Sequence, residues 1–202
     1  MYIPKYFQMK DEHEMFRFMV HHSFATLVSQ SSSGLVASHL PLTVKVDDRV
    51  LYGHFAKANS QWQGLDGQRV LVIFHGPHSY ISSSWYETKD AVPTWNYTAV
   101  HVKGTLQLLQ DEALIDDCLR ELIDKYEAPN SSYRYDAVDS KYIASLKKGI
   151  VAFKIDIESL DGKAKLSQNH SNERQQLVIE QLKNTNDPES IAIAKLMEQN
   201  KD

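Results

Sequence analysis

The residues with the most chemical potential lie in Gly53-His54-Phe55-Ala56-Lys57-Ala58-Asn59-Ser60-Gln61-Trp62. A strand is expected just before it, over Val50-Leu51-Tyr52, and a short helix at its end, over Gln61-Trp62-Gln63-Gly64-Leu65. Where a strand gives way to a helix start, backbone N–H groups lack partners and the helix dipole presents its positive end. Such a joint suits a phosphate, and Lys57 adds a full positive charge. The segment points to a phosphate-bearing cofactor. The plainer alternative is an ordinary capped helix with a solvated lysine.

Three further segments combine polar and aromatic residues in a way that packing does not require. They are Ser38-His39-Leu40-Pro41, Val92-Pro93-Thr94-Trp95-Asn96-Tyr97 and Lys165-Leu166-Ser167-Gln168-Asn169. Each falls at the end of an expected element, where binding residues concentrate. With the Lys57 segment they supply basic groups, amide and hydroxyl hydrogen bonds, and flat aromatic surfaces. A flavin needs all three, for its phosphate, its ring edge and its ring face.

Other chemistries fit less well. His75 and His78, with His39, His54 and His101, are metal or haem ligands by type, but no His-x-x-x-His pair sits on one helix, and no metal site is expected. His21-His22 ends a helix, where the dipole favours imidazolium. There is no Gly-x-Ser-x-Gly elbow for a hydrolase. The single cysteine, Cys118, rules out an intramolecular disulfide and is expected to be a buried, inert thiol. Tyr133-Arg134-Tyr135 is either a stacking surface for a base or, more plainly, a loop packing its aromatics. No catalytic residue stands out; His39, His54 and Tyr97 are the candidates for a proton donor.

The elements that position these residues follow from periodicity. Strands are expected over 24–29, 35–40, 42–46, 50–54, 69–75, 97–108 and 150–158. Ser31-Ser32-Ser33-Gly34 and Asp47-Asp48 are turns, Gly76-Pro77 breaks a strand, and 86–93 is a loop. Ser79–Trp85, with three hydroxyls in a row, reads as a wet or ligand-lined face. Helices are expected over 11–22, 111–126, 140–148, 172–183 and 188–199. Asp187-Pro188 starts the last one, as an N-cap followed by proline at the first helical position. Short turns between strands from the middle of the chain favour an antiparallel β-barrel with peripheral helices over a parallel α/β sheet. The barrel is expected over 1–166 and a C-terminal helical hairpin, an appendage, over 167–202.

The chain has 202 residues, 42% hydrophobic and 24% charged, with a formal net charge of -4. That is an ordinary globular composition, without the basic excess behind non-specific DNA affinity. Lys141, Lys147, Lys148, Lys154, Lys163 and Lys165 are either a local basic patch or a solvated face balanced by Asp156, Glu158 and Asp161. There is no helix-turn-helix pattern. No apolar run is long enough to span a membrane, and no signal peptide is apparent, so a cytoplasmic protein is expected.

The segments quoted above, together with Met1-Tyr2-Ile3-Pro4-Lys5-Tyr6-Phe7, resemble the PaiB-type proteins, FMN-binding negative transcriptional regulators of bacteria. The resemblance runs over nearly the whole chain. It implies an antiparallel split β-barrel of the flavin-reductase and pyridoxamine-phosphate-oxidase kind, a homodimer, and FMN near the subunit interface. Carried over position by position, it assigns Lys57 and Asn59 to the phosphate, and Ser38, His39 and Leu40 to the isoalloxazine or ribityl chain. It places His54 and Ala56 at the pocket border, Trp95 and Asn96 over or beside the flavin, and Lys165, Ser167 and Gln168 where they close the site. His170 departs from the arginine or lysine expected there. The implied function is negative regulation of transcription, of protease production and sporulation genes, with promoter DNA or a regulatory protein as partner. An FMN-dependent oxidoreductase or flavin reductase is the alternative on the same fold. A flavin-sensing module that captures a partner through the C-terminal hairpin is a third reading.

Overall fold

Alternating side chains lay out a seven-stranded antiparallel sheet. The computed structural model describes residues 1–32 and 34–200; Ser33 of the expected turn and the last two residues of the expected appendage lie outside them. The strands are β1 (Phe24–Ser31), β2 (Gly34–Pro41), β3 (Thr43–Lys45), β4 (Val50–Ala56), β5 (Gln68–Ile81), β6 (Thr94–Leu108) and β7 (Ile150–Lys165). Their order across the sheet is β2-β1-β5-β6-β7-β4-β3. In β1 the side chains of Ala25, Leu27 and Ser29 are buried and those between them are not. The β1–β2 hairpin runs from Phe24 opposite Pro41 to Ser31 opposite Gly34. On β4, Val50 faces Asp156 and Ala56 faces Ile150 of β7.

Among the described residues the helices are α1 (Glu12–His21), α2 (Glu112–Tyr126), α3 (Ser140–Lys147), α4 (Asn172–Lys183) and α5 (Pro188–Gln199). Side-chain caps fix where several begin. Asp111 accepts from the backbone N–H of Ala113 and Leu114, Asp139 from Tyr142, Ser171 from Arg174 and Asp187 from Ser190. No helix among the described residues is long and apolar enough to cross a membrane.

The chain divides into two compact units. One comprises Met1–Phe18, His75–Val100 and the residues from Asp161 on. Its core joins Ile81, at the end of β5, and Leu166, just after β7, to Val178, Ile179 and Leu182 of α4 and Ile193, Ala194 and Met197 of α5. The other comprises Met19–Phe74 and His101–Leu160. There Leu27, Leu42, Leu51, Phe55, Phe74, Leu106 and Phe153 are fully buried, with the Phe55 and Phe153 rings 4.8 Å apart. Gly53 makes this packing possible: a Cβ there would stand 2.6 Å from Leu42 and 2.8 Å from Phe153.

Several expected boundaries move. β5 does not break at Gly76-Pro77 but continues to Ile81. Its pairing with β1 ends at Ile73, so the missing N–H of Pro77 lies beyond that ladder. β7 runs past Glu158 to Lys165, although Glu158-Ser159-Leu160-Asp161 interrupts the hydrophobic alternation. The expected helix at Gln61–Leu65 is one 3-10 turn, Ser60–Trp62. The serine-rich segment is wet only at its end, where Ser82 and Ser83 are half-buried and Ser84 is exposed. Ser82 caps a 3-10 turn over Ser83–Trp85, and Ser79 is buried with its hydroxyl 2.9 Å from that of Ser190 on α5. The apolar face of α2 is only half-buried, Cys118 included, and burial pushes the Cys118 thiol up to about 11.

Candidate functional site

Two polar clusters contain the residues that sequence reading selects, one in each unit. In the unit built on β1, β2 and β4, Ser38 and Asn59 come together. The Asn59 amide donates to the Ser38 hydroxyl at 2.8 Å, and Ser38 donates to Gln61 Oε1. Gln61, read from the sequence only as the start of a short helix, is the hub. It is 4% exposed, and its amide N–H group lies 2.9 Å from the Ser29 hydroxyl and 3.2–3.3 Å from the Val36 and Leu27 carbonyls. A buried amide with this many partners holds β1, β2 and the 3-10 turn in register.

Strand geometry separates some of the selected residues. On β2, Ser38 and Leu40 share a face, whereas His39 projects from the other. There His39 is exposed, 3.0 Å from the Thr26 hydroxyl and stacked on Phe24. On β4, His54 and Ala56 flank buried Phe55, and burial lowers the pKa of His54 below the ordinary histidine value. Lys57 follows directly and is exposed. Its backbone N–H donates to the Gly149 carbonyl at 2.8 Å, and its carbonyl accepts from the Trp62 indole at 3.0 Å. A three-residue 3-10 turn has too few aligned peptides to act as a dipole. No helix dipole therefore favours a phosphate at Lys57, which keeps its charge and the polar residues around it.

In the other unit, β6 parts Trp95 from Asn96. Trp95 is 52% exposed, with His78 and Tyr80 ring centroids 6.0 and 5.8 Å away. Asn96 is fully buried and exchanges hydrogen bonds with Ser167: its amide donates at 2.9 Å and accepts the serine hydroxyl at 3.2 Å. Ser167 holds a left-handed backbone, φ 66°, a strained conformation for a residue with a side chain. Gln168 braces the same bend, accepting from Leu166 N–H at 2.7 Å and donating to the Ala164 carbonyl at 2.6 Å. Lys165 donates to the Thr94 hydroxyl and, at 2.6 Å, to the Trp95 carbonyl.

Asn96, Lys165 and Ser167 line a cleft of 410 Å³, within the range of small-molecule pockets. Tyr86, Thr94, His170 and Arg174 also line it, and so does Phe7. Arg174 is engaged by Glu87 at 3.0 Å and lies over the Tyr86 ring. Burial, then Arg174, lowers the pKa of His170 and keeps its imidazole neutral to lower pH. Burial, then Lys163, lowers that of Lys165. Tyr86 and Arg174 escaped sequence reading because they come from a loop and a helix start with no motif spacing between them, whereas His170 stood out only as a departure from the family pattern.

The late lysines do not share one environment. Lys154 pairs with Asp156 at 3.1 Å, and Lys147 with Glu112 and Asp116. Lys163 is 7% exposed and donates to the Tyr2 carbonyl at 3.3 Å. The Tyr133-Arg134-Tyr135 segment divides as well: Tyr135 donates to Asp116 at 2.8 Å and lies under Arg120, while Tyr133 is 42% exposed.

Residues 1–159 match the family described as a putative FMN-binding domain. The chain is 42% identical over 202 residues to protease synthase and sporulation protein PAI 2 of Bacillus subtilis (strain 168), covering 98% of this chain and 97% of that protein. Among solved structures, the flavocytochrome Anf3 from Azotobacter vinelandii superposes with a TM-score of 0.64 at 14% identity, over 81% of this chain and 72% of that one. The FAD and heme binding protein from Mycobacterium smegmatis superposes with a TM-score of 0.58 at 16% identity, over 83% and 78%. At such identities these two matches speak to the fold, which is that of the split-barrel flavin proteins.

Proposed function

The chain belongs to the putative FMN-binding domain family, and from that premise we propose that it is an FMN-binding homodimer that regulates gene expression. The observation that carries the flavin reading is the family match over residues 1–159. The residues present suit the cofactor. Lys57 supplies a solvent-facing cation for the phosphate, with Asn59 beside it. Ser38 and Leu40 on one face of β2, with His54 and Ala56 on β4, offer short polar and apolar surfaces to the ribityl chain and ring. His39, on the opposite face of β2, is the weakest member of the set. Trp95, Asn96, Lys165, Ser167 and Gln168, in the other unit, are assigned to the flavin by the resemblance alone. FMN, when bound, supplies a redox-active isoalloxazine, and the protein supplies its orientation and surroundings.

The regulatory part rests on the 42% identity to PAI 2, whose name ties that protein to protease synthesis and sporulation. Control of comparable genes, through promoter DNA or a protein partner in the cytoplasm, is the corresponding proposal for this chain.

The deciding experiment titrates apo protein with FMN and with riboflavin, followed by flavin fluorescence. Tight FMN binding with a marked preference over riboflavin is expected. In Lys57→Ala that preference should fall by about tenfold or more, the loss of a charge-assisted contact of ~1.5–3 kcal/mol. Equal loss of both ligands would take Lys57 out of the phosphate role, and no binding of either would end the flavin reading.

A further inference from the structure

The last turns of α2 and the loop that follows enclose a separate cavity of 380 Å³, within the range of small-molecule pockets. Arg120, Asp124 and Glu127 recur at helical spacing along one face of α2 and form one wall. Tyr133-Arg134-Tyr135-Asp136 forms the other, and Ala128 and Pro129 add apolar surface. All of these residues belong to one unit, and none is among those that the resemblance assigns to the flavin.

The two walls are latched at one end. Arg120 pairs with Asp136 and lies over the Tyr135 ring at 5.2 Å. Tyr135 donates to Asp116 at 2.8 Å, and Lys147 holds Asp116 in turn. Away from this latch the charges stand apart: among the described residues, Asp124, Glu127 and Arg134 form no ion pair. A carboxylate and a guanidinium within reach of one another join in a strong, forked contact. Here opposite charges line one cavity without meeting, and the space between them lacks a bridging group. The Tyr133 ring, 42% exposed, is on the same lining, and the face of a tyrosine attracts an ammonium. The free groups are thus two carboxylates, one guanidinium and an aromatic face. Their complement carries two cations and one anion on a short apolar stem. We propose that this cavity binds a basic α-amino acid of the lysine kind, with its carboxylate on Arg134, its two ammonium groups at Asp124 and Glu127, and its stem along Tyr133 and Pro129. A nucleotide fits worse, because its phosphate would face both carboxylates. Binding here does not depend on the flavin reading.

The test titrates the full-length chain with L-lysine, cadaverine and ε-aminocaproate by ligand-observed NMR. Cadaverine is lysine without its carboxylate, and ε-aminocaproate is lysine without its α-amine. L-lysine is expected to bind with a Kd of about 1 mM or tighter, and about tenfold more tightly than either analogue, the loss of one charge-assisted contact. Arg134→Met should bring L-lysine down to the level of cadaverine and leave cadaverine no weaker, while Arg134→Lys keeps part of the difference. The double variant Asp124→Asn/Glu127→Gln should weaken L-lysine by about tenfold or more. All three side chains are exposed, and the comparison of the three ligands is made on the unaltered protein, so a variant that misfolds does not spoil it. Cadaverine bound as tightly as L-lysine would overturn the proposal, because the cavity would then read positive charge alone. So would ε-aminocaproate bound as tightly as L-lysine, or L-lysine that does not bind at all.

Discussion

At Asn59, Gln61 and His54, local polarity has different meanings that only neighbours reveal. Asn59 combines two functions: its carbonyl oxygen accepts from Gln61 N–H at 3.0 Å while its amide reaches Ser38. The asparagine and serine were legible as a polar end to a strand. Gln61 was not, because its partners Leu27, Ser29 and Val36 lie 25 to 34 residues away along the chain. His54 yields a prediction about pH. Burial lowers its folded-state pKa below the unfolded value, so the unfolded chain binds the extra proton first. The neutral imidazole therefore contributes stability that is fully present above pH ~6.5 and is lost as pH falls through the folded pKa. Thermal melts across pH 7.5 to about 5 should show the midpoint falling on acidification, and His54→Asn should flatten part of that slope. His170 is shifted in the same direction and keeps its own share. A slope unchanged in His54→Asn would show that this histidine does not couple to folding.

Elements were legible where their signals were local, and misjudged where tertiary contacts prevailed. The caps Asp111, Asp139, Ser171 and Asp187 announce helices at the expected places, and α4 and α5 coincide with their expected spans. Gly76-Pro77 misleads, since a local turn signal sits inside a fourteen-residue strand. The glycine is there for packing: a Cβ would stand 2.2 Å from the Thr98 hydroxyl oxygen and 2.6 Å from Phe18. Gly76→Ala should therefore destabilise by ~1–3 kcal/mol, the usual cost of overpacking. Thr98 is buried with its hydroxyl unpartnered, so Thr98→Ala removes both the closest obstacle and an unsatisfied group. The double variant Gly76→Ala/Thr98→Ala should be clearly more stable than the sum of the single losses in urea unfolding. Strict additivity would place the strain at Phe18 instead.

For the whole molecule, the question is whether 167–202 is an appendage. The change of character after Leu166 suggests one, since α4 has only Leu177, Val178, Ile179 and Leu182 as apolar residues. The apolar side chains of α4 and α5 nevertheless point to a single cluster: Val178, Ile179, Leu182, Ile193, Ala194 and Met197 pack with Ile81 and Leu166. Trp85 and Tyr86 pack against the same cluster. The hairpin thus has its apolar face committed within its own unit, and capture of a partner would have to use its polar surface. A chain ending at Ser171 would leave Ile81 and Leu166 uncovered, at ~1.5–3 kcal/mol for each fully buried side chain. Their combined loss is a large fraction of the ~5–15 kcal/mol that ordinarily separates folded from unfolded protein. The expected result is a melting midpoint lowered by 10 °C or more, on the scale of about 2–4 °C per kcal/mol, or a species that self-associates in size-exclusion chromatography. Asn96 also touches Met197 at 3.5 Å, so the Asn96–Ser167 pair should loosen together with the hairpin. A truncated chain that melts unchanged and stays monodisperse would make 167–202 the separable appendage that the change of character after Leu166 suggests.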